Sequence, residues 1–358
     1  MPRVVIDLRM VTGGLHGIAR YALELARRLP ALRPHWDWVG LTGPQGLPGD
    51  LGPLLAPSLP TLRCRAGFLS PWEQPALLAS LASIRPDLFH ATSFSLPALW
   101  PGRLLATLHD ANHLALPQYY GRAQRAYYRW VVAPRAARAE GLLTVSEFSR
   151  GELARHLRLE PSRFHVTPLG VSDAFRPPAP SKVSAFRRRR GLPDRYFAAV
   201  GNPKPHKNLG LLGRIGPRLP APIALLAGAG TATKLCFPPT TIDLGTLPEA
   251  EMPLYYGGAV ALLVPSLYEG FGLPALEAMA SACPVVAARA GALQEWVSGA
   301  GTVLDPRDEG AWVSACQRAF EDPGARASWI EQGRIRAEKF TWEACAEQTA
   351  ARYERALD

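Results

Sequence analysis

The sequence predicts two α/β domains of the doubly wound type, one after the other along the chain. The length of 358 residues exceeds one ordinary domain core. Strand-like and helix-like segments alternate in both halves, and a proline-rich stretch at 176–180 interrupts the alternation. We therefore expect an N-terminal domain over 1–176, a linker over 177–190, a second domain over 191–338, and a C-terminal helix over 339–358 that folds back towards the first domain.

The first half provides the clearest alternation of elements. Buried strands of a parallel sheet form short, continuous apolar runs, whereas amphipathic helices repeat apolar residues every three or four positions. The predicted strands are residues 4–8, 36–41, 87–90, 104–108, 142–145 and 164–167. The predicted helices are residues 18–29, 75–83, 123–140 and 147–157.

The second half repeats this pattern and then becomes helical. Its predicted strands are residues 196–200, 223–227, 241–244, 259–264, 284–287 and 301–303. The tail over 308–357 is predicted to be a succession of helices. Two such domains are expected to bind ligands in a cleft between the carboxyl ends of their strands.

Composition excludes several classes of protein. Apolar residues make up 47% of the chain and charged residues 20%, but no apolar run reaches the length of about 18 residues that a membrane span requires. The N-terminus begins with a strand-like segment instead of a signal peptide, so a cytoplasmic protein is expected. The five cysteines form no Cys-x-x-Cys pair, which argues against a disulfide framework or a zinc site.

Positive charge is concentrated in the first half. Residues 1–176 contain 20 arginines against 12 acidic residues, which gives +8 of the net +10. The predicted helix 123–140 interleaves arginines with aromatic residues, a pattern suited to an anionic membrane surface, and segment 63–74 adds apolar residues. The alternative is a partly buried helix with a solvated basic face. The residues concerned in the helix are Arg125, Tyr127, Tyr128, Arg129, Trp130, Arg135 and Arg138.

The stretch 264–284 contains the strongest candidate binding motif. Glu269 lies in a loop after a predicted strand, and Pro274 is predicted to begin a helix with Glu277 in its first turn. Gly270 and Gly272 allow the backbone to approach a ligand, while free N–H groups at a helix start bind phosphate. Carboxylates accept hydrogen bonds from sugar hydroxyls, so the stretch favours a nucleotide sugar. The alternative is that Glu277 only complements the helix dipole and Glu269 is solvated.

Two loops of the first domain are candidate ligand contacts. The loop containing Gly13, Gly14 and Gly17 misses the Gly-x-Gly-x-x-Gly spacing, which argues against a nicotinamide enzyme. It suits close approach to a phosphate or sugar, with a plain tight turn as the alternative. His109 and Asp110 follow a predicted strand at the position where such sheets usually contact ligands.

A cationic loop follows the first strand of the second domain. Lys204, His206 and Lys207 lie directly after residues 196–200, and the whole chain has only five lysines. These cations are suited to neutralising a leaving diphosphate. The alternative is a solvated loop.

Together these segments resemble the retaining glycosyltransferases of family 4, whose GT-B fold places two Rossmann-like domains across a cleft. The likeness extends along nearly the whole chain. It is carried by residues 13–21, Trp72-Glu73-Gln74, 87–90, LHD at 108–110, TVSEFSR at 144–150, PLGV at 168–171, HKN at 206–208, 269–277 and FTW at 340–342.

The resemblance implies roles for individual residues. Glu269 corresponds to the residue that holds donor-sugar hydroxyls, Glu277 to the ribose ligand, and Lys207 to the cation on the diphosphate. His109 resembles the histidine beside the donor sugar, so the expected catalytic residues are His109, Glu269 and Lys207. Asn202 departs from the family pattern, which often has arginine there, and Lys204 is the candidate replacement. The residues expected to contact the donor are Gly13, Gly14, Gly201, Asn202, Lys204, Lys207, Glu269, Gly270, Phe271, Gly272, Leu273 and Glu277.

The implied reaction is transfer of a hexose from a nucleoside diphosphate sugar to a hydroxyl, with retention at the anomeric carbon. GDP-mannose is the favoured donor and UDP-hexoses are the alternative; the acceptor is a glycan or a lipid-linked sugar in polysaccharide or glycolipid assembly. No Asp-x-Asp motif occurs, so neither metal nor cofactor is expected, and no nucleic-acid partner is expected. We expect a cytoplasmic protein in peripheral contact with the inner face of a membrane. The alternatives are an epimerase or phosphorylase on the same fold, or a non-catalytic nucleotide-sugar-binding protein.

Overall fold

A computed structural model describes residues 1–13, 16–49 and 51–358 of the chain. The described chain divides into two units, each built around one parallel sheet. The first unit contains Met1–Gly170 together with Trp342–Asp358, and the second contains Val171–Thr341.

The first sheet has seven strands in the described chain. They are β1 (Arg3–Asp7), β2 (Asp37–Thr42), β3 (Thr61–Arg63), β4 (Leu88–Ala91), β5 (Leu104–Thr107), β6 (Gly141–Thr144) and β7 (Phe164–Val166). Their order is β3-β2-β1-β4-β5-β6-β7, so the direction of winding reverses between β1 and β4. Ligands of doubly wound sheets bind at that switch point. The sequence did not predict β3, because this three-residue edge strand is exposed throughout and has no apolar run.

The helices of the first unit cover both faces of this sheet. They begin with α1 (Gly17–Leu32), α2 (Glu73–Ile84), α3 (Asn112–Ala115), α4 (Arg122–Tyr127), α5 (Ala133–Ala137) and α6 (Glu147–Leu157). A π-helical turn over Tyr128–Val132 joins α4 to α5, so the single helix predicted over 123–140 is wrong in detail. Arg135, predicted within the basic segment, is buried and donates from Nη2 to the Gly102 carbonyl oxygen at 3.0 Å.

The second sheet has six strands in the described chain. They are β8 (Phe197–Val200), β9 (Ile223–Leu226), β10 (Ile242–Asp243), β11 (Leu262–Val264), β12 (Val285–Ala288) and β13 (Thr302–Leu304). The order β10-β9-β8-β11-β12-β13 again reverses once, between β8 and β11. All six strands overlap segments that the sequence predicted, and the apolar residues of β9, β11 and β12 are buried throughout.

The helices of the second unit include one that the sequence did not predict. They are α7 (Pro180–Arg190), α8 (Leu209–Ile215), α9 (Thr231–Lys234), α10 (Met252–Gly257), α11 (Leu273–Ala280), α12 (Leu293–Trp296), α13 (Glu309–Glu321) and α14 (Pro323–Ala337). Helix α7 lies within the segment expected to be a linker. Its four consecutive arginines give the segment a polar composition, which hid the helix from prediction. Val183 and Phe186, one helical turn apart, are both buried.

The last helix, α15 (Trp342–Leu357), belongs to the first unit and packs beside α1. Arg28 Nη2 lies 2.8 Å from Glu343 Oε1, and Arg33 Nη2 lies 2.7 Å from Glu354 Oε1. The predicted helical tail is therefore confirmed by α13, α14 and α15. The five cysteines are free thiols, as predicted. Within the described ranges, no helix combines the length and the apolar character needed to cross a bilayer.

Candidate active site

Two loops meet at the switch point of the second sheet. One follows β8 and the other follows its neighbour β11, so the carboxyl ends of both strands open onto the same edge. Leu267 N–H donates to the His206 carbonyl oxygen at 2.7 Å. Asn208, which adopts a left-handed conformation, donates from Nδ2 to the Pro265 carbonyl oxygen at 3.1 Å. These two hydrogen bonds fix the loops against each other.

The joined loops bring Lys207 to Glu269. Lys207 Nζ lies 2.6 Å from Glu269 Oε1, and Ser266 Oγ donates to the same oxygen at 2.7 Å. The Lys207 side chain is 21% exposed and that of Glu269 is 13% exposed, so this ion pair is accessible without being fully solvated. The solvated alternative for Glu269 is therefore wrong. Both hydrogen bonds that the carboxylate makes in the described chain reach Oε1, so Oε2 keeps its capacity to accept hydrogen bonds.

Two glycines determine the path of the Glu269 loop. Gly272 has φ of +95°, and a Cβ there would lie 2.6 Å from Leu293 Cδ2. Gly291 has φ of +60°, and its Cβ would lie 2.3 Å from the Glu269 carbonyl oxygen. Ala292 N–H donates to that same oxygen at 2.9 Å. Any larger residue at either position would displace the loop that presents Glu269.

The aromatic residue Trp296 supports the same loop. Its Nε1–H donates to the Phe271 carbonyl oxygen at 3.0 Å, and the two rings stack with centroids 5.6 Å apart. Sequence reasoning missed both Gly291 and Trp296. The available signal was a glycine three residues after β12, near the edge at which such sheets contact ligands.

Glu277 occupies a different environment from the one predicted. Helix α11 begins at Leu273, one residue before Pro274, so Glu277 lies in its second turn and not in the first. The carboxylate is buried, and Tyr256 Oη donates to Glu277 Oε2 at 3.1 Å. Burial, and then the Glu277 charge, raise the pKa of Tyr256 well above its ordinary value, so the phenol stays protonated as a donor. The interpretation of Glu277 as a simple partner of the helix dipole is therefore wrong.

The other predicted site residues of the loop after β8 differ in their exposure and hydrogen bonds. Gly201 N–H donates to the Leu226 carbonyl oxygen at 3.0 Å. Asn202 and Lys204 are exposed, and Asn202 Oδ1 accepts the Lys204 N–H at 3.2 Å, which closes a local turn. His206 is buried, and this burial, followed by the charge of Lys207, lowers its pKa to about 4. Lys207 is thus the cation that the fold directs at Glu269.

In the first unit, His109 lies just past the end of β5. Its Nε2 is 3.0 Å from the Thr92 carbonyl oxygen, and the Tyr21 ring packs edge-on at a centroid distance of 4.9 Å. Burial, partly offset by the hydrogen bond to Thr92, lowers the pKa of His109 to about 4. A carbonyl only accepts, so the proton lies on Nε2 and Nδ1 is an acceptor. His109 is therefore a neutral hydrogen-bond acceptor at physiological pH.

A buried hydrogen-bond network holds the Tyr21 ring, which packs against His109. Tyr21 Oη lies 2.8 Å from Thr107 Oγ1, and His90 Nε2 lies 2.7 Å from the same hydroxyl. His90 Nδ1 is 2.6 Å from Tyr353 Oη on α15. Helix α15 thereby contributes a hydrogen bond to the network that supports the Tyr21 ring beside His109.

The glycine loop of the first unit is described in part. Gly14 lies outside the described residues. A Cβ at Gly13 would meet no described atom within 4 Å, so packing in the described chain does not demand glycine there. His16 caps α1, with Nδ1 accepting the Ala19 N–H at 3.3 Å.

At the switch point of the first sheet lies a buried ion network that sequence reasoning missed. Arg9 Nη2 lies 2.7 Å from Asp7 Oδ2, and Arg9 Nη1 lies 2.9 Å from Glu73 Oε1. Ser95 Oγ donates to Glu73 Oε1 at 2.6 Å. Burial alone would lower the pKa of Arg9, but Asp7 and Glu73 raise it above its ordinary value, so the guanidinium stays charged. The available signal was a charged pair, Asp7 and Arg9, at the end of an apolar strand.

The described residues offer no group of three or more His, Cys, Asp or Glu side chains arranged to hold a metal ion. The chemistry of the site in the second unit instead combines one cation, one carboxylate and the backbone N–H groups at the start of α11. Phe271, Gly272 and Leu273 provide those N–H groups ahead of the first helical hydrogen bonds. Such a set can bind an anion next to a group rich in hydroxyls.

Two family models match the chain and define its class. Glycosyltransferase Family 4 matches residues 15–175, and Glycosyl transferases group 1 matches residues 193–336. The chain belongs to the family 4 glycosyltransferases and has their GT-B fold of two Rossmann-like domains.

Individual relatives are similar over different shares of the chain. O-antigen chain mannosyltransferase B from Escherichia coli is 28% identical over 382 aligned positions, covering 98% of this chain and 99% of that protein. MMP alpha-(1->4)-mannosyltransferase from Mycolicibacterium hassiacum is 32% identical over 231 positions, covering 60% of this chain and 54% of that protein.

Solved structures share the fold at low sequence identity. Sucrose-phosphate synthase from Thermosynechococcus elongatus has a TM-score of 0.80 and 21% identity, covering 99% of each chain. Anabaena HepE in complex with UDP and glucose has a TM-score of 0.77 and 17% identity, covering 99% of this chain and 100% of that one. At these identities the likeness establishes the fold alone.

Proposed function

We propose that this glycosyltransferase is a retaining hexosyltransferase whose second unit binds the nucleoside diphosphate sugar. The observation that carries the proposal is the Lys207–Glu269 pair at the switch point of the second sheet. Its atoms lie 2.6 Å apart, and both side chains keep some exposure. An exposed ion pair contributes little to stability and a fully buried one excludes ligands, whereas this pair is held in place and stays partly accessible.

In this proposal each group of the second unit contacts a defined part of the donor. Glu269 Oε2 accepts a hydrogen bond from a sugar hydroxyl, while Lys207 neutralises the diphosphate. The N–H groups of Gly272 and Leu273 add to the anion site at the helix start. Glu277 accepts from the ribose hydroxyls through the carboxylate that Tyr256 orients.

Lys207 is proposed to act chiefly as the bond to the leaving group breaks. The bond between the anomeric carbon and the diphosphate oxygen breaks, and its electron pair goes to the diphosphate. A new bond forms from the acceptor oxygen to the same face of that carbon. The acceptor proton passes to the departing phosphate oxygen. The protein contributes positioning and a countercharge that is needed most in the transition state.

His109 is proposed to bind a carbohydrate substrate in the first unit. Its neutral ring offers Nδ1 as an acceptor for one hydroxyl, since Nε2–H is held by the Thr92 carbonyl oxygen at 3.0 Å. We assign the acceptor substrate to this unit. The acceptor is proposed to be a glycan or a lipid-linked sugar.

GDP-mannose is proposed as the donor, with UDP-hexoses as the alternative. The similarity to two proteins named as mannosyltransferases supports mannose. The described site has one cation directed at its carboxylate, and we propose that transfer needs neither a divalent metal nor a cofactor. Lys204 is proposed as a secondary cation in place of the arginine that relatives often have at Asn202.

The decisive experiment measures release of the nucleoside diphosphate from a panel of donors. We expect release of GDP from GDP-mannose to be stimulated by mannose-containing acceptors and to be unaffected by EDTA. Nuclear magnetic resonance of the product should show the same anomeric configuration as the donor. Release of UDP from a UDP-hexose, without release of GDP from GDP-mannose, would show that the donor is a UDP-hexose. The reaction would still be hexosyl transfer.

Other outcomes identify the alternative functions. Binding of donors without release of any nucleoside diphosphate would indicate a non-catalytic binding protein. Conversion of the donor to an isomer would indicate an epimerase, and release that depends on inorganic phosphate would indicate a phosphorylase. An inverted product would overturn the retaining mechanism.

A further inference from the structure

The first unit carries exposed apolar side chains that none of the sites above uses. Trp72 is 75% exposed, Leu99 is 81% exposed and Trp130 is 70% exposed. Leu69 is 46% exposed in a left-handed backbone conformation. Exposed apolar side chains mark an interaction site when they cluster into one patch instead of lying scattered singly. With Arg125 and Arg129 they form what we call the apolar-basic patch.

Gln74 connects the segments that carry this patch. Its Nε2 donates to the Leu96 carbonyl oxygen at 3.1 Å and to Tyr127 Oη at 3.3 Å. Its Oε1 accepts the Ala98 N–H at 2.9 Å. Trp72 lies two positions before Gln74, and Leu99 lies directly after Ala98. Trp130 lies three positions after Tyr127. The hydrogen bonds therefore place three exposed apolar side chains in one neighbourhood.

Aromatic packing adds Leu69 to the same neighbourhood. The Phe68 ring lies 5.7 Å from Phe94, and Phe94 stacks on Tyr128 at 5.5 Å. Tyr128 belongs to the π-helical turn that separates α4 from α5. The inner side of this segment is thus anchored, while Trp130 faces solvent.

The helical segment that carries Trp130 has only basic charged residues. Residues 111–139 contain five arginines and no acidic residue. Arg122, Arg125 and Arg129 are exposed and share one face of the helical segment at spacings of three and four residues. The Arg129 guanidinium carbon lies 5.0 Å from the centre of the Trp130 ring, so charge and ring are presented together.

The exposed tryptophans and arginines together indicate which kind of partner the apolar-basic patch contacts. A tryptophan ring with arginines beside it matches the boundary between phosphate headgroups and acyl chains. An apolar protein partner would not need the exposed Arg122, Arg125 and Arg129, and a nucleic acid would not need exposed leucines. We propose that the apolar-basic patch docks the protein on an anionic lipid surface, with Trp72 and Trp130 entering the headgroup region.

The test uses the full chain without donor or acceptor, so its result is separate from that of the proposed function. Sedimentation would be measured with vesicles of phosphatidylcholine alone and with an equimolar mixture of phosphatidylcholine and phosphatidylglycerol. We expect binding to the mixed vesicles that weakens as salt is raised, because salt screens the arginine contribution.

Two double variants separate charge from insertion. Arg125→Gln with Arg129→Gln should lower partitioning about 25-fold, at roughly fivefold for each arginine. Trp72→Ser with Trp130→Ser should lower it about 10-fold, because the apolar contact is lost. Arg188→Gln and Ile335→Ser alter exposed residues of the second unit and should leave partitioning unchanged.

Two results would overturn the proposal. One is no binding to the anionic vesicles; the other is binding that the tryptophan substitutions leave unchanged. In the first case, retention on heparin would identify a polyanionic partner instead of a lipid surface.

Discussion

The two sheets place charged side chains at the same position but bury them to different extents. Each sheet reverses its winding once, and each places charged side chains where that reversal occurs. In the first unit the network of Asp7, Arg9 and Glu73 is almost fully buried, with side-chain exposures between 0% and 3%. In the second unit Lys207 and Glu269 keep 21% and 13% of their side-chain surface exposed.

We infer from this difference that burial, and not residue type, separates the structural ion network from the proposed binding pair. The buried network has a partner for each charge and ties the end of β1 to the start of α2. The exposed pair has only Oε1 of its carboxylate engaged in the described chain. We therefore expect mutations in the first network to affect folding and mutations in the second pair to affect activity.

The largest expected effect follows from breaking the buried network. Arg9→Met should lower the free energy of unfolding by about 3–5 kcal/mol, because it leaves two buried carboxylates without a countercharge. Chemical denaturation followed by circular dichroism would measure it. Arg150→Met removes an exposed pair with Glu147 and should change stability by no more than about 0.5 kcal/mol. Equal stabilities of the two variants would contradict the comparison.

The next largest effect is on activity in the second unit. Glu269→Gln keeps the shape of the side chain but removes its charge, and should lower kcat roughly 100-fold while changing the melting temperature little. Steady-state kinetics and thermal denaturation would be measured on the same preparation. Ser266→Ala removes the other donor to Glu269 Oε1 and should cost less than about 10-fold. A large loss of stability in Glu269→Gln would make the pair structural.

Glu277 tests whether a buried carboxylate of the second unit binds the donor. Glu277→Gln should weaken donor binding about 10-fold and leave kcat at saturating donor nearly unchanged. Calorimetric titration with the nucleoside diphosphate would measure the Kd. Tyr256→Phe keeps the carboxylate but removes the hydroxyl that donates to it, and should weaken binding less. An unchanged Kd in Glu277→Gln would refute the ribose assignment.

The effect that is smallest near neutral pH concerns acid stability. Burial lowers the pKa of His90 to about 3, whereas an unfolded histidine titrates near about 6.5. The unfolded state therefore binds the extra proton first, and this group's contribution to stability is lost as pH falls from about 6.5 towards 3. The slope is at most about 1.4 kcal/mol per pH unit for one proton.

His90→Gln should flatten that slope below about pH 6.5, whatever its stability at neutral pH. His35→Gln replaces an exposed histidine and should leave the slope unchanged. Denaturation midpoints across the pH range would measure both. An unaltered slope in His90→Gln would assign the acid sensitivity to other groups, such as His206 in the second unit.

Much of the fold could be predicted because its signals are local. Twelve of the described strands overlap predicted segments, and the central strands among them are apolar because they are covered on both faces. The missed elements are those whose local composition is misleading. The edge strand β3 is exposed, and α7 ends in four arginines although Val183 and Phe186 bury its inner side.

The candidate residues were predictable, but their environments were not. The order of residues alone placed Glu269 in a loop and Lys207 after a strand, and family motifs gave both a role. Contacts between residues 62 positions apart, such as Lys207 with Glu269, depend on which strands are neighbours. The same holds for Arg9 and Glu73, 64 positions apart, and for Gly291 against the Glu269 backbone.

The sequence by itself therefore determined the class of fold, the family and the chemistry available at each loop, because apolar runs, glycines and charged residues act over a few positions. Only the tertiary structure decided which charges are buried together and which stay accessible. Strand order brings distant loops to one edge, and the packing around that edge sets how much water each charge keeps. That hydration distinguishes the buried Arg9 network from the accessible Lys207–Glu269 pair.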